Sequence, residues 1–104
     1  MEKKFYEVKF TESAEKDLKK LIKLNKAIAK LLKKWISENL IGTQNPKQRG
    51  KALTGNLKGL WRYRVGSYRI VAEIKNDILL ILIIEIIEKK LIKIKREKHT
   101  KMEK

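Results

Sequence analysis

Three of the five arginines in this chain of 104 residues lie within eight residues, at Arg62, Arg64 and Arg69. Nearly everywhere else the chain places its positive charge on lysine. A guanidinium group is planar and donates in a fixed fork that matches two phosphate oxygens, whereas an ammonium group acts as a point charge. The arginines therefore favour a site for phosphate or another oxyanion over a merely solvated surface.

The spacing predicts that these arginines share one face of a β-hairpin. Residues 60–65 alternate, with Trp61, Tyr63 and Val65 on one side and Arg62 and Arg64 on the other. Gly66-Ser67 fits a two-residue turn with glycine first, which places Arg64 opposite Arg69. Like charges directly opposite each other destabilise a sheet, so a strand that needed only solubility has no reason to keep them.

The surrounding segment is also basic. No acidic residue occurs between Glu38 and Glu73, and four further cations lie in that window: Lys47, Arg49, Lys51 and Lys58. We expect these side chains to contact phosphate groups. The formal net charge of +15 likewise favours a polyanionic partner and fast, salt-sensitive association.

Composition excludes several other kinds of site. The chain has no cysteine and one histidine, which rules out a disulfide framework, a thiol nucleophile and a two-histidine metal site. The longest apolar run, 78–84, is far shorter than the roughly 20 residues of a membrane span, and we expect no signal peptide. We expect one domain over residues 1–104, in the cytoplasm, with a basic tail at 89–104 and neither metal nor cofactor.

The predicted elements are two helices followed by a sheet. After a strand at 4–10, Thr11 is a helix N-cap, and Asn25 separates that helix from a second one running to Leu40. All glycines and the single proline fall within 42–66, which we assign to loops. Strands follow at 60–65, 68–75 and 78–87. The last is apolar on both faces, so we expect it to be central and covered on both sides.

The run GKALTGNLKGLWRYRVGSYRIV at 50–71, together with the strand and helix pattern at 5–21, resembles the RelE/ParE toxin superfamily. The resemblance implies an α+β fold in which two N-terminal helices pack on a mostly antiparallel sheet of four to five strands.

The resemblance also implies a toxin of a toxin–antitoxin pair. RelE-type members bind the ribosomal A site and cleave messenger RNA there without a metal, by attack of a ribose 2′-OH on the adjacent phosphate. On this pattern Arg64 and Arg69 stabilise the phosphate, Arg62 holds the RNA backbone, and Lys89 takes the place of a terminal arginine. Lys90 and Lys93 would add RNA contacts. Arginine is a poor proton acceptor, which leaves Lys89, Lys90 or Lys93 for that role, or no residue at all.

The implied partners are the ribosome with its message and a RelB-like antitoxin, expected to be acidic, to wrap the toxin and to cover the arginines. Operator DNA would be reached only through the antitoxin. Two alternatives remain open at the level of sequence. One is a ParE-like module that inhibits DNA gyrase, because the superfamily's terminal tyrosine and histidine are missing. The other is a catalytically degraded member.

Overall fold

The computed structural model describes residues 4–88. Two helices are followed by most of a five-stranded sheet, and short 3-10 turns lie at Gly55–Leu57 and Asn76–Ile78. The elements in chain order are β1 (Glu7–Phe10), α1 (Glu12–Leu24), α2 (Lys26–Asn39), β2 (Lys51–Ala52), β3 (Trp61–Val65), β4 (Tyr68–Lys75) and β5 (Leu80–Glu88). Neither helix in this part of the chain is long and apolar enough to cross a membrane. Two helices packed on a mostly antiparallel sheet confirm the predicted fold class.

Side-chain caps set the helix boundaries. The Thr11 hydroxyl accepts a hydrogen bond from the backbone N–H of Ala14 at 3.1 Å, which satisfies one of the free donors at the start of α1. Asn25 ends α1 and begins α2, and its side chain accepts from the N–H of Ile28. A single residue therefore connects the two helices, and they contact each other.

The sheet has the order β1-β5-β4-β3-β2. β1 pairs with β5 in parallel, and the other neighbouring strands are antiparallel. β2 is a strand of two residues within the segment that the sequence assigns to loops. Two residues are too few to show the alternation of polar and apolar side chains that predicts a strand. Only the pairing with Trp61 and Arg62 defines β2.

The two helices cover one face of the sheet, which we call the core face. Leu32 and Ile36 of α2, and Leu40 directly after the helix, are buried in the core. They are four residues apart, and residues at this spacing lie on one side of a helix. The sheet side of the same core comprises Tyr63, Val65, Ile70, Ala72, Ile81, Ile83 and Ile86.

The other side of the sheet, which we call the open face, carries the arginines. It also carries Leu82 and Ile87 of β5, both partly exposed. The expectation that β5 is covered on both sides is therefore not met within residues 4–88. β5 is an interior strand, as predicted, but the helices shield only its core face.

A bulge in β5 reconciles its sequence with the core. Ile81, Ile83 and Ile86 are all buried, whereas strict alternation from Ile81 and Ile83 would bury position 85. The register shifts between Val71 and Ala72, so one extra residue, Ile84, is accommodated. The alternation resumes in the opposite phase, and Glu85 stays on the open face.

Candidate functional site

The β3–β4 hairpin has the register that its sequence predicts. Arg64 pairs with Arg69 and Val65 pairs with Tyr68 on either side of the Gly66-Ser67 turn. Gly66 has φ +60°, a conformation that glycine adopts without steric cost. Arg62 lies two residue pairs further along, opposite Val71 and on the same face as Arg64. The three arginines thus form one cluster on the open face, and we call it the arginine cluster.

The positive charges of the cluster repel one another, and two of its donors lack acceptors among the described residues. Burial, followed by the charges of Arg64 and Arg69, lowers the pKa of Arg62. The Nε atoms of Arg62 and Arg69 are buried and have no hydrogen-bond partner among the described residues. Buried donors without partners are costly, so such groups normally meet an acceptor. An anion bound to the cluster would supply the acceptors and offset the repulsion.

A cleft of about 350 Å³ lies beside this cluster, and four cations line it: Arg49, Lys51, Arg62 and Arg64. Trp35 and Tyr63 line it as well. The cleft lies at the β3 edge, because β2 pairs only with Trp61 and Arg62 and stops short of Arg64. Arg49 and Lys51 therefore lie beside the arginine cluster, and the site role predicted for them from sequence stays a prediction.

Gly50 and Trp61 hold this basic loop against β3. The indole N–H of Trp61 donates to the carbonyl of Arg49 at 2.7 Å. Gly50 has φ +85°, and a Cβ there would lie 2.3 Å from the carbonyl oxygen of Arg62. Only glycine fits this contact, which brings the loop close enough to place Arg49 and Lys51 at the cleft.

The remaining predicted cations lie elsewhere or outside the description. The Lys47 ammonium lies 5.4 Å from the centroid of the Trp61 ring, in cation–π range. Lys58 is exposed and follows the 3-10 turn at Gly55–Leu57. The structure does not bring either of them into the cleft. Lys89, Lys90 and Lys93 fall outside residues 4–88.

Tyr63 belongs to the core, as predicted. It is fully buried, packs against Trp35 with ring centroids 5.6 Å apart, and donates its hydroxyl hydrogen to the carbonyl of Pro46 at 2.6 Å. Burial strongly raises the pKa of its hydroxyl. Tyr68 also lies on the core side of the hairpin, where burial and the facing Glu88 raise its pKa. Neither tyrosine is arranged to exchange protons with a ligand on the open face.

Sequence reasoning noted Glu85 as the acid that interrupts an apolar strand, but it gave neither Glu85 nor Asp17 a role in the site. Glu85 shares the open face with the arginine cluster, and Asp17 of α1 accepts the backbone N–H of Ile86 at 3.0 Å. An acidic residue that interrupts an apolar run was the available signal for Glu85. No feature of the sequence around Asp17 predicts its contact with Ile86, which is 69 residues away. Within the described part of the chain, no group of three or more His, Cys, Asp or Glu side chains is arranged to hold a metal ion.

The family model described as the ParE toxin of type II toxin–antitoxin systems (parDE) matches residues 8–90. The chain therefore belongs to the ParE toxin family, within the RelE/ParE superfamily that the hairpin sequence resembles. It is a toxin of a toxin–antitoxin system. No curated protein sequence matches the chain.

Solved structures with the same fold include several toxins. The toxin–antitoxin complex RelBE2 from Mycobacterium tuberculosis matches with 27% identity and a TM-score of 0.71, over 81% of this chain and 91% of that one. An arginine-to-alanine double mutant of Escherichia coli toxin RelE in the free state matches with 21% identity and a TM-score of 0.60, over 93% and 97%. A YoeB/ParE toxin from Agrobacterium tumefaciens has 15% identity and a TM-score of 0.60, over 79% and 96%.

Proposed function

We propose that this toxin is a metal-independent, ribosome-dependent endoribonuclease that cuts messenger RNA in the A site and so stops translation. The observation that carries the proposal is the arginine cluster, in which two buried Nε donors lack an acceptor within residues 4–88 while Arg64 faces Arg69. Selection for a stable sheet does not explain this arrangement. A bound phosphate would neutralise part of the positive charge and accept hydrogen bonds from the donors.

The reaction explains why several guanidinium groups are needed. Attack of a 2′-OH on the adjacent phosphate forms a phosphorane that carries more negative charge than the substrate. Fixed cations stabilise that charge more in the transition state than in the ground state, which is the requirement for catalysis. We assign Arg64 and Arg69 to the non-bridging oxygens and Arg62 to the neighbouring backbone phosphate.

The cleft provides a path for the rest of the message. Arg49 and Lys51 line it together with two arginines of the cluster, so a second phosphate of the same strand can be bound there. Lys47 and Lys58 lie outside the cleft and are proposed to contact ribosomal RNA. The match to RelBE2 from M. tuberculosis has 27% sequence identity. It therefore supports RelE-type activity more strongly than a likeness of fold alone would.

A toeprint on ribosomes programmed with a defined message tests the proposal. Wild-type toxin, freed of any antitoxin, should produce cleavage in the A-site codon. The variant Arg64→Ala/Arg69→Ala should lose the cleavage, while Lys16→Ala/Lys20→Ala, which removes the same charge from an exposed part of α1, should keep it. An intact message with wild-type toxin would overturn the proposal.

The partner that neutralises such a toxin is proposed to be an acidic antitoxin. RelBE2 is described as a toxin–antitoxin complex, and a like arrangement here would place carboxylates over the arginine cluster. Excess antitoxin should abolish cleavage, and loss of Arg62 and Arg69 should weaken the complex. An antitoxin that binds both forms equally would show that it covers another surface.

A second candidate function is inhibition of DNA gyrase, and the match to the ParE toxin model over residues 8–90 favours it. A supercoiling assay with purified gyrase separates the two candidates. Gyrase inhibition together with an intact message would assign the toxin to the ParE-type activity. Cleavage without inhibition would assign it to the RelE type.

A further inference from the structure

Cleavage by a 2′-OH requires a group that takes the hydroxyl proton, and the arginine cluster does not contain one. Arginine stays protonated in proteins. Tyr63 and Tyr68 lie on the core side of the sheet. A proton acceptor must therefore come from another residue that reaches the open face.

Glu85 lies on that face at a suitable distance from the cluster. It is exposed and pairs with Val71, which in turn pairs with Arg62. Arg69 pairs with Ile87, so Glu85 lies diagonally across the β4–β5 ladder from Arg69. Diagonal neighbours are about 7–8 Å apart, which long side chains span. A ribose oxygen poised to attack a phosphate held by Arg69 lies about 3–3.5 Å from its phosphorus, between the two side chains.

The fold holds Glu85 in this position through the β5 bulge. The Thr11 hydroxyl donates to the carbonyl of Ile84 at 3.1 Å, and Asp17 accepts the N–H of Ile86 at 3.0 Å. The first contact comes from the N-cap of α1 and the second from the N-terminal half of that helix, and the two flank Glu85. Without the bulge, residue 85 would point into the core, where an unpaired carboxylate is costly.

The other acidic residues of the described strands are less suitably placed to accept a proton beside Arg69. Glu73 is on the open face but lies four residues from Arg69 along β4, a distance of about 13 Å. Glu7 pairs with Leu80, at the far end of β5. Glu88 faces Tyr68. Among residues 4–88, Glu85 forms no hydrogen bond or ion pair that would occupy its carboxylate.

We propose that Glu85 is the general base of the cleavage, an inference that rests on the proposed function. Its carboxylate takes the proton of the 2′-OH as the 2′-oxygen forms a bond to phosphorus. The bond from phosphorus to the 5′-oxygen breaks and leaves a 2′,3′-cyclic phosphate. The departing 5′-oxygen takes a proton from solvent water, and Glu85 returns its proton to solvent, so the charges balance.

The test compares Glu85→Gln with Glu73→Gln, which removes the same charge from the same face. On ribosomes programmed with a single message, the rate of cleavage under single-turnover conditions should fall about 10²–10⁴-fold for Glu85→Gln. It should change less than threefold for Glu73→Gln. Binding to ribosomes whose message carries a 2′-deoxy nucleotide at the cut site should be equal for all three proteins.

A second readout separates catalysis from folding. Formate should partly restore cleavage to Glu85→Ala, because a small carboxylate can enter the space that the side chain leaves.

The outcomes are distinct. Cleavage at the wild-type rate by Glu85→Gln would overturn the assignment and leave the proposed function standing. Equal losses in Glu85→Gln and Glu73→Gln, or loss of binding by Glu85→Gln, would assign Glu85 a structural or binding role and also overturn it. Failure of the wild-type toxin to cut would remove both proposals.

Discussion

At the scale of single residues, Arg64 and Arg69 place two positive charges directly opposite each other on neighbouring strands. This pairing costs stability, and the buried Nε atoms of Arg62 and Arg69 add unsatisfied donors. The same features make the cluster ready to receive an anion without rearrangement. Under the proposed function, activity and stability are therefore opposed at these positions.

Arg64→Gln should raise the free energy of unfolding by about 0.2–1 kcal/mol because it removes the cross-strand repulsion. Urea unfolding monitored by circular dichroism measures the change. Lys9→Gln, at an exposed strand position opposite Leu82, is the matched control and should have a smaller effect. Cleavage by Arg64→Gln should fall at the same time. A less stable Arg64→Gln variant would contradict the repulsion argument.

Tyr68 makes a prediction about alkaline pH. Burial and the facing Glu88 raise its pKa above the ordinary value, so above about pH 10 the unfolded chain loses a proton that the folded protein keeps. The free energy of unfolding must then fall as pH rises through this range. Urea titrations on either side of pH 10 should show a shallower fall for Tyr68→Phe. Parallel curves for the two proteins would refute the shift.

At the scale of secondary-structure elements, α1 acts on β5 through side chains that bind its backbone. Asp17 accepts the N–H of Ile86, and the Thr11 hydroxyl donates to the carbonyl of Ile84. The sequence separations are 69 and 73 residues. The bulge therefore depends on helix–sheet packing as well as on the strand itself.

Asp17→Ala should lower the free energy of unfolding by about 1–3 kcal/mol, because it leaves the N–H of Ile86 partly buried without an acceptor. Asp17→Asn keeps an acceptor oxygen and should lose less. Lys16→Ala, on the exposed side of α1, controls for loss of a side chain in the helix. Equal losses for Asp17→Ala and Asp17→Asn would show that the charge of Asp17, and not its hydrogen bond, stabilises β5.

The contact between β2 and β3 makes a second prediction at this scale. Gly50 and Gly59 both have positive φ, but only Gly50 has atoms within reach of an added Cβ. Gly59→Ala should cost about 1–2 kcal/mol from backbone strain. Gly50→Ala should cost a further ~1–3 kcal/mol from overpacking against Arg62 and Trp61. Thermal unfolding of both variants measures the difference in stability. Equal losses of stability would show that the atoms around Gly50 move aside at little cost.

At the scale of the whole molecule, part of the net charge of +15 is concentrated at one cleft, which four cations line. Arg49 and Lys51 are more than ten residues before Arg62 and Arg64 in the sequence. All four side chains nevertheless line the cleft beside the arginine cluster. A uniformly basic surface would attract RNA weakly at every point. Under the proposed function, a cleft lined by four cations would instead bind successive phosphates of one strand.

This arrangement predicts a measurable salt dependence. The affinity for a short single-stranded RNA should fall with rising potassium chloride, and each phosphate contact contributes about 0.7 to the logarithmic slope. Arg49→Gln/Lys51→Gln should reduce the slope by about twice that amount. Fluorescence anisotropy measures it, with Lys16→Gln/Lys20→Gln as the control of equal charge. A control that flattens the slope equally would indicate binding through net charge alone.

Much of the fold and part of the site were predictable from sequence because their causes are local. The Thr11 and Asn25 caps, the alternation in β3 and the Gly66-Ser67 turn each depend on a few adjacent residues. Together they determine that Arg64 faces Arg69 and that Tyr63 is buried. Local signals of this kind need no knowledge of the rest of the chain.

The tertiary structure alone decided how distant segments complete the site. Two residues of β2 are too few to show a pattern, yet their pairing with β3 brings Arg49 and Lys51 beside the arginines. Alternation cannot predict the bulge at Ile84, because Thr11 and Asp17 stabilise it from another element. The sequence therefore determined the arginine cluster, whereas packing of α1 on β5 decided that Glu85 shares its face.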